Sequence, residues 1–151
     1  MKTKRLKVLI VDDNTDYFKH VKNSLGADYR CFSEICDLTK ALVSITKKEP
    51  DVIIIDGMAS SQSGFDICRV LKDKSETEQI PIILIGENDE LKNKLRGFLA
   101  GAQKYLKKYQ DEAELPQCIN CLLRKKCDRE NLELCKKQQT SMNDIFCVTN
   151  N

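Results

Sequence analysis

Three aspartates and one lysine in this sequence stand at or just after the ends of short apolar runs. Asp12 and Asp13 come after the first run, Asp56 ends the third, and Lys108 follows the last. Carboxylates that lie close together repel one another, and a nearby cation offsets that repulsion. Hard oxygen ligands of this kind suit Mg²⁺, which keeps several waters and takes only one or two protein carboxylates.

A cluster of this composition predicts phosphoryl chemistry. Asp56 ends the middle apolar run, so it would lie centrally and act as the nucleophile toward a phosphoryl donor, giving an acyl phosphate. A bound metal would neutralise the phosphoryl oxygens, and Lys108 would bring a mobile positive charge to them. A single aspartate at a strand end is more simply interpreted as solvated, but the whole set favours a shared site.

The elements that would position these side chains alternate along the chain. Apolar runs predict five strands, within residues 6–11, 29–32, 51–56, 80–85 and 105–106. The stretches that follow them have apolar residues at helical spacing and predict helices. The fourth helix would contain Leu91, Leu95, Phe98 and Leu99, and the last would begin at about residue 111. Five successive β-then-α units predict an α/β fold with a doubly wound, five-stranded parallel sheet, whose functional crevice lies at the carboxyl ends of the strands.

Composition excludes several other classes of protein. A chain of 151 residues that is 41% hydrophobic and 32% charged is typical of one globular domain. Its net charge of +2 is too small to predict direct binding to nucleic acid. The first apolar stretch is too short for a signal peptide or a membrane span, so we expect a cytoplasmic protein without membrane contact. The cysteines are then expected to be reduced, with Cys31, Cys36 and Cys68 in the core.

Several short motifs, taken in their order and spacing, resemble the receiver domain of bacterial response regulators. They lie at residues 8–13, 52–56, 80–84, 97–102 and 105–108, and Gly64 follows Asp56 by eight residues. The resemblance covers about residues 4–123, and we predict a helical extension from residue 124 to residue 151. It implies a chemotaxis-type, flavodoxin-like (βα)5 receiver of two-component signalling, with an extended C-terminal helix.

The resemblance also implies a role for each residue that matches a family motif. Asp56 would accept a phosphoryl group from a histidine kinase or a phosphotransfer protein. The remaining matches are Asp13 as a direct Mg²⁺ ligand, Asp12 as a ligand mainly through water, the backbone carbonyl of Met58 as a further ligand, Lys108 as the phosphate-contacting lysine, and Tyr105 as the aromatic that changes rotamer on activation.

The sequence departs from the family pattern in the switch region. Gly86 stands where the family usually has a serine or threonine whose hydroxyl bonds the phosphoryl group, and Glu87 replaces the small residue that follows. Tyr109 replaces the proline that usually follows the lysine through a cis bond. A cis bond before a non-proline residue costs about 3 kcal/mol, so we expect a trans bond and an altered loop. Ala59 and Ser60 replace a common Met-Pro pair.

These departures leave two classes of function open. The first is a phosphorylation-dependent signalling receiver. The second is an atypical receiver that works as a protein-interaction or dimerisation module, for which the phosphate is optional. We do not expect an enzyme, because a dehalogenase-type phosphatase would need a second aspartate two residues after Asp56, where this chain has Met58.

The C-terminal segment lacks helix breakers after Pro116. Cys118 and Cys121 form a CxxC pair, but Cys135 would lie about 25 Å from Cys118 on one helix at about 1.5 Å per residue, so thiols for packing or partner contacts are favoured over a metal site. An imperfect heptad runs through Cys118, Cys121, Leu132, Cys135, Met142 and Phe146. It predicts either a coiled coil that could form a homodimer or bind an output protein, or a solvated tail. A stand-alone receiver and the front of a longer protein both remain open.

Overall fold

The computed structural model describes residues 4–59 and 61–149, with side chains described as far as residue 138. The strands are β1 (Leu6–Val11), β2 (Tyr29–Glu34), β3 (Val52–Asp56), β4 (Ile82–Gly86) and β5 (Lys104–Lys107). The helices are α1 (Thr15–Leu25), α2 (Leu38–Lys48), α3 (Gly64–Asp73), α4 (Leu91–Leu99) and α5 (Leu115–Thr149), and a 3₁₀ turn at Glu112–Glu114 precedes the last of them. All neighbouring strands are parallel, in the order β2-β1-β3-β4-β5. The doubly wound, five-stranded α/β fold predicted from the sequence is confirmed.

The sheet is covered on both faces. Successive residues of β1 point to opposite sides, so that Leu9 packs with α2 and α3 on one face while Ile10 packs with α1 and α5 on the other. A strand that is buried on both faces gains from apolar residues at every position, which explains the unbroken apolar runs. Packing on both faces therefore fixes the positions at which each strand ends.

Helix α4 is present as predicted, but its apolar residues do not face the core. Leu91, Leu95, Phe98 and Leu99 are between 52% and 77% exposed. The buried positions of α4 are instead Asn93 and Gly97. Gly97 brings the helix backbone close to the side chains of Leu84 and Tyr105. The helical spacing thus predicted the helix correctly, while the apolar side chains form a surface stripe.

Helix α5 continues past the packed part of the domain, as the absence of helix breakers predicted. Leu115 and Ile119 are buried against the sheet, whereas Leu132 and Leu134 are exposed. Pro116 lies in the first turn of the helix, where its missing N–H costs no hydrogen bond. Cys118 and Cys135 lie on this one helix, in line with the separation expected for them. The side chains of Met142 and Phe146, which the heptad prediction includes, lie outside the described residues.

The cysteines of the core are buried thiols. Cys36 and Cys68 are fully buried, while Cys31 is only half-buried. Burial raises the pKa of Cys36 to about 12 and that of Cys68 to about 11, so both remain protonated at neutral pH. Among the residues that the structure describes, no helix combines the length and the apolar character needed to cross a membrane.

Candidate functional site

The predicted site residues meet at one edge of the sheet, because parallel strands place their carboxyl ends together. Val11 of β1 is paired with Ile55 of β3, so Asp12 and Asp56 follow from adjacent positions. On the other side, Gly86 is paired with Lys107 of β5, which brings Lys108 to the same edge. The strand register alone therefore gathers the acidic residues and the lysine.

The ammonium group of Lys108 lies between two of the carboxylates. Its Nζ donates to Oδ2 of Asp12 at 2.8 Å and to Oδ2 of Asp56 at 3.1 Å. The exposed fractions of the three side chains are 7% for Lys108, 2% for Asp12 and 13% for Asp56. A buried ion pair of this kind is stable only if each charge keeps its partner. Lys108 thus holds the two carboxylates together.

Burial and pairing act on these groups in opposite directions. Burial raises the pKa of Asp12 above its ordinary value, although the hydrogen bond from Lys108 partly offsets it. Burial by itself lowers the pKa of Lys108, but the hydrogen bond to Asp12 and the charges of Asp12 and Asp56 outweigh it and raise that pKa. The lysine is therefore a permanent cation at neutral pH.

The other oxygen of Asp56 is held by the turn that follows β3. The backbone N–H of Met58 donates to Asp56 Oδ1 at 3.1 Å. Gly64, at the start of α3, lies so close that any side chain there would overlap the backbone carbonyl of Asp56. This close approach explains why the glycine stands eight residues after the aspartate. The side chain of Asp56 is thus held at both oxygens, while Met58 beside it is exposed.

Asp13 contacts the loop after β2 and the turn between β3 and α3. Its Oδ1 accepts the backbone N–H of Cys36 at 2.9 Å, and its Oδ2 accepts the hydroxyl of Ser61. The backbone carbonyl oxygen of Cys36 lies 2.9 Å from the same hydroxyl oxygen, so the single proton of Ser61 has two acceptors within reach. A metal that took Asp13 as a direct ligand would compete with this hydroxyl for the same oxygen.

The donor set fits Mg²⁺ in its chemistry, because it consists of carboxylate and carbonyl oxygens. Its arrangement differs, since no group of three or more His, Cys, Asp or Glu side chains in the described part of the chain is placed to hold a metal ion. Lys108 fills the space between Asp12 and Asp56. The residues that could hold the metal are Asp12, Asp13, Asp56 and the carbonyl of Met58, after Asp13 releases Ser61.

Tyr105 occupies the space next to Gly86. Its hydroxyl donates to the backbone carbonyl of Asn88 at 2.8 Å, in the loop between β4 and α4. A side chain added at Gly86 would overlap that hydroxyl. The glycine therefore allows the tyrosine to lie over the end of β4, where a larger residue would exclude it. The neighbouring Glu87 is exposed to solvent.

Comparison with known proteins identifies this arrangement. Residues 8–120 match the model of the response regulator receiver domain family, which is most of the chain. The chain belongs to that family. It is 32% identical over 118 residues to the response regulator PleD of Caulobacter vibrioides, covering 78% of this chain and 26% of that protein. It is 33% identical over 119 residues to the phosphate regulon transcriptional regulatory protein PhoB of Pseudomonas aeruginosa, covering 78% of this chain and 52% of that protein.

Solved receiver structures show the same fold. The chemotaxis response regulator CheY4 of Vibrio cholerae superposes with a TM-score of 0.69 at 26% identity, covering 79% of this chain and 99% of that one. The receiver domain of the Francisella response regulator 1452 superposes with a TM-score of 0.66 at 26% identity, covering 80% of this chain and 98% of that one. The receiver thus spans from about a quarter to about half of the length of the two curated relatives.

Some residues at this receiver's site were not predicted from the sequence. Ser61 contacts Asp13, and the buried Glu112 accepts a hydrogen bond from Tyr17 at 2.8 Å. Neither glutamate nor serine belongs to an apolar pattern, so no periodicity identifies them.

The bond before Tyr109 is trans, as predicted, since no cis peptide occurs among the described residues.

Proposed function

We propose that the chain is a receiver in two-component signalling whose Asp56 takes a phosphoryl group from a phosphohistidine of a histidine kinase or phosphotransfer protein. The observation that supports this most directly is the position of the Lys108 ammonium, 2.8 Å from Asp12 and 3.1 Å from Asp56. An ammonium group placed there can pair with the Asp56 carboxylate before the reaction and with a phosphoryl oxygen after it. We expect no direct contact of this chain with nucleic acid or with a membrane.

The reaction would move one phosphoryl group onto the chain. A carboxylate oxygen of Asp56 forms a bond to phosphorus while the bond between phosphorus and the donor nitrogen breaks. The nitrogen keeps the electron pair of that bond and takes a proton from solvent. Mg²⁺ bound by Asp12, Asp13 and the Met58 carbonyl would supply further positive charge for the phosphoryl oxygens. Each chain is modified once, so the receiver would act as a substrate and not as an enzyme.

Incubation with phosphoramidate tests this function without the unidentified kinase. We expect intact mass spectrometry to detect one added phosphoryl group per chain in the presence of Mg²⁺. Chelation of the metal should slow the reaction at least about tenfold, because the phosphoryl oxygens lose a cation that contributes several kcal/mol. A receiver of known competence serves as the control for the reagent. If that control gains mass and this chain does not, the phosphoacceptor function is wrong.

A second function is favoured by Tyr105 and α4. The hydroxyl of Tyr105 bonds the Asn88 carbonyl beside Gly86, and the apolar side chains of α4 lie on the surface. We propose that the switch is atypical, so that this chain binds a partner or a second copy with weak dependence on phosphate. The missing hydroxyl at Gly86 would be the cause, since glycine has no side-chain donor for a phosphoryl oxygen.

Replacing Gly86 by Thr separates these two functions. The new side chain should displace Tyr105 and break its bond to Asn88, and its hydroxyl should link the phosphoryl group to the loop. We expect phosphorylation to change the self-association constant of Gly86→Thr by about tenfold, within the usual range of coupling energies, and to change that of the wild type little. Light scattering with and without phosphoramidate and Mg²⁺ measures both constants.

Gly86→Ala is the matched control for that substitution. It adds the same Cβ and should displace Tyr105 equally, but it brings no hydroxyl. A phosphate response in Gly86→Thr alone would assign the coupling to the hydroxyl. A wild-type response as large as that of Gly86→Thr would contradict the atypical switch.

A further inference from the structure

The turn after β5 is held in an uncommon backbone conformation. Tyr109, directly after Lys108, has a φ of 59°, in the left-handed region that tyrosine rarely adopts. Such a conformation is strained for a residue that has a Cβ, and it persists only where neighbouring groups enforce it. Proline, with φ fixed at about −65°, could not adopt this conformation, so contacts of this chain's own residues must hold the turn.

Glu112 supplies the contact that holds this turn. Its Oε1 accepts the backbone N–H of Tyr109, three residues earlier. The glutamate is only 6% exposed, so its carboxylate has little water to bind in place of that N–H. Its second oxygen, Oε2, lies 3.7 Å from Nε2 of the half-exposed His20. The buried carboxylate of Glu112 therefore holds the backbone N–H of Tyr109, the residue directly after Lys108.

The same carboxylate also fixes the ring against which the lysine lies. The hydroxyl of Tyr17, on α1, donates to Glu112 Oε1 at 2.8 Å. Burial and the hydrogen bond to Glu112 raise the pKa of Tyr17 well above its ordinary value, so the phenol keeps its proton and stays a donor. Nζ of Lys108 lies 4.5 Å from the centre of the Tyr17 ring, within the range of a cation–π contact.

We propose that Glu112 is a positioning residue for Lys108, acting from two sides at once. It holds the backbone after the lysine through Tyr109, and it holds the ring beside the ammonium through Tyr17. The inference deepens the proposed phosphoacceptor function and rests on it.

Three variants test the role of Glu112. Glu112→Ala removes the acceptor, and we expect the maximal rate of phosphorylation by phosphoramidate at saturating Mg²⁺ to fall by roughly tenfold to a hundredfold, as is usual for a misplaced reacting group. Glu112→Gln keeps an oxygen that can accept from both tyrosines and should stay within about threefold of the wild type. Glu114→Ala changes an exposed glutamate of the same 3₁₀ turn and should leave the rate unchanged.

A double variant distinguishes positioning from a general effect on the fold. If Glu112 acts through Lys108, then Glu112→Ala should slow phosphorylation no further in a Lys108→Ala background. Additive losses would assign the glutamate to overall stability and overturn the proposal. So would an unchanged rate in a folded Glu112→Ala protein.

The accessibility of Lys108 gives a readout that needs no phosphoryl transfer. Its side chain is 7% exposed, so it should react slowly with acetic anhydride, and peptide mass spectrometry can compare it with the exposed Lys40. We expect labelling of Lys108 to be at least about fivefold faster in Glu112→Ala, since local opening governs access to buried groups. If Lys108 is labelled faster in Glu112→Ala but the wild type is not phosphorylated, the positioning role of Glu112 holds and the phosphoacceptor function of Asp56 is wrong.

If Glu112→Ala does not fold, Tyr17→Phe carries the test, because it removes one hydroxyl and retains the ring. Faster labelling of Lys108 in that variant supports a positioning role for the hydrogen bond between Tyr17 and Glu112. Labelling and phosphorylation rates equal to those of the wild type would overturn it.

Discussion

Replacing Asp56 by Asn is expected to abolish phosphoryl uptake completely. The amide has nearly the same shape as the carboxylate, and it can still accept the Met58 N–H that now lies 3.1 Å from Oδ1. It lacks the anionic oxygen that must form the bond to phosphorus. The amide nitrogen cannot accept the hydrogen bond that Lys108 now gives to Oδ2, but Lys108 keeps Asp12 as its partner, so the loss of uptake should be one of chemistry and not of folding.

Intact mass after incubation with phosphoramidate and Mg²⁺ measures this loss. Asp66→Asn is the matched control, because Asp66 is an exposed aspartate in the first turn of α3 and touches no residue of the site. The control should gain one phosphoryl group and Asp56→Asn none. Uptake by Asp56→Asn at the wild-type rate would place the nucleophile elsewhere and would contradict the role given to this residue.

Replacing Lys108 by Ala should affect both the reaction and the fold. Phosphorylation should slow about a hundredfold, because a charge aimed at the developing phosphoryl oxygens typically contributes that factor or more. The fold should lose about 3 kcal/mol at neutral pH, because Asp12 and Asp56 then share a largely buried position without a cation. Lys104→Ala, on the exposed part of β5, is the control for both measurements.

The stability loss in Lys108→Ala should depend on pH in a defined direction. The pKa of Asp12 is already raised by burial, so protonation of Asp12 favours the fold. That contribution is complete below the ordinary value of 3.8 and is lost as the pH rises through the folded pKa. Without Lys108 the folded pKa should rise further. Urea unfolding should therefore show a smaller difference from the wild type at pH 4 than at pH 7, and a difference independent of pH would be inconsistent with this account.

The fold could be predicted because the apolar pattern reports burial directly. Strands covered on both faces need apolar residues at successive positions, and that requirement is visible in the sequence of β1, β3 and β4. Helix α4 shows the limit of the same reasoning. Gly97 brings that helix backbone against Leu84, so the buried side of α4 is made by Asn93 and Gly97 and the leucines lie outside.

The placement of the candidate site residues at one edge of the sheet could be predicted, but their contacts could not. Strand ends determine that Asp12, Asp56 and Lys108 lie at one edge, and parallel pairing follows from the order of elements. The contact between Asp13 and Ser61 joins residues 48 positions apart, and that between Tyr17 and Glu112 joins residues 95 apart. Such pairs depend on how loops pack after the sheet has formed, which no local pattern encodes.

The ammonium group of Lys108 gives the acidic edge a counterion that is covalently part of the chain. A newly synthesised molecule can therefore neutralise this edge before any dissolved ion reaches it. Folding of this edge therefore does not depend on a dissolved cation, and under the proposed function the magnesium concentration would matter only for the phosphoryl transfer.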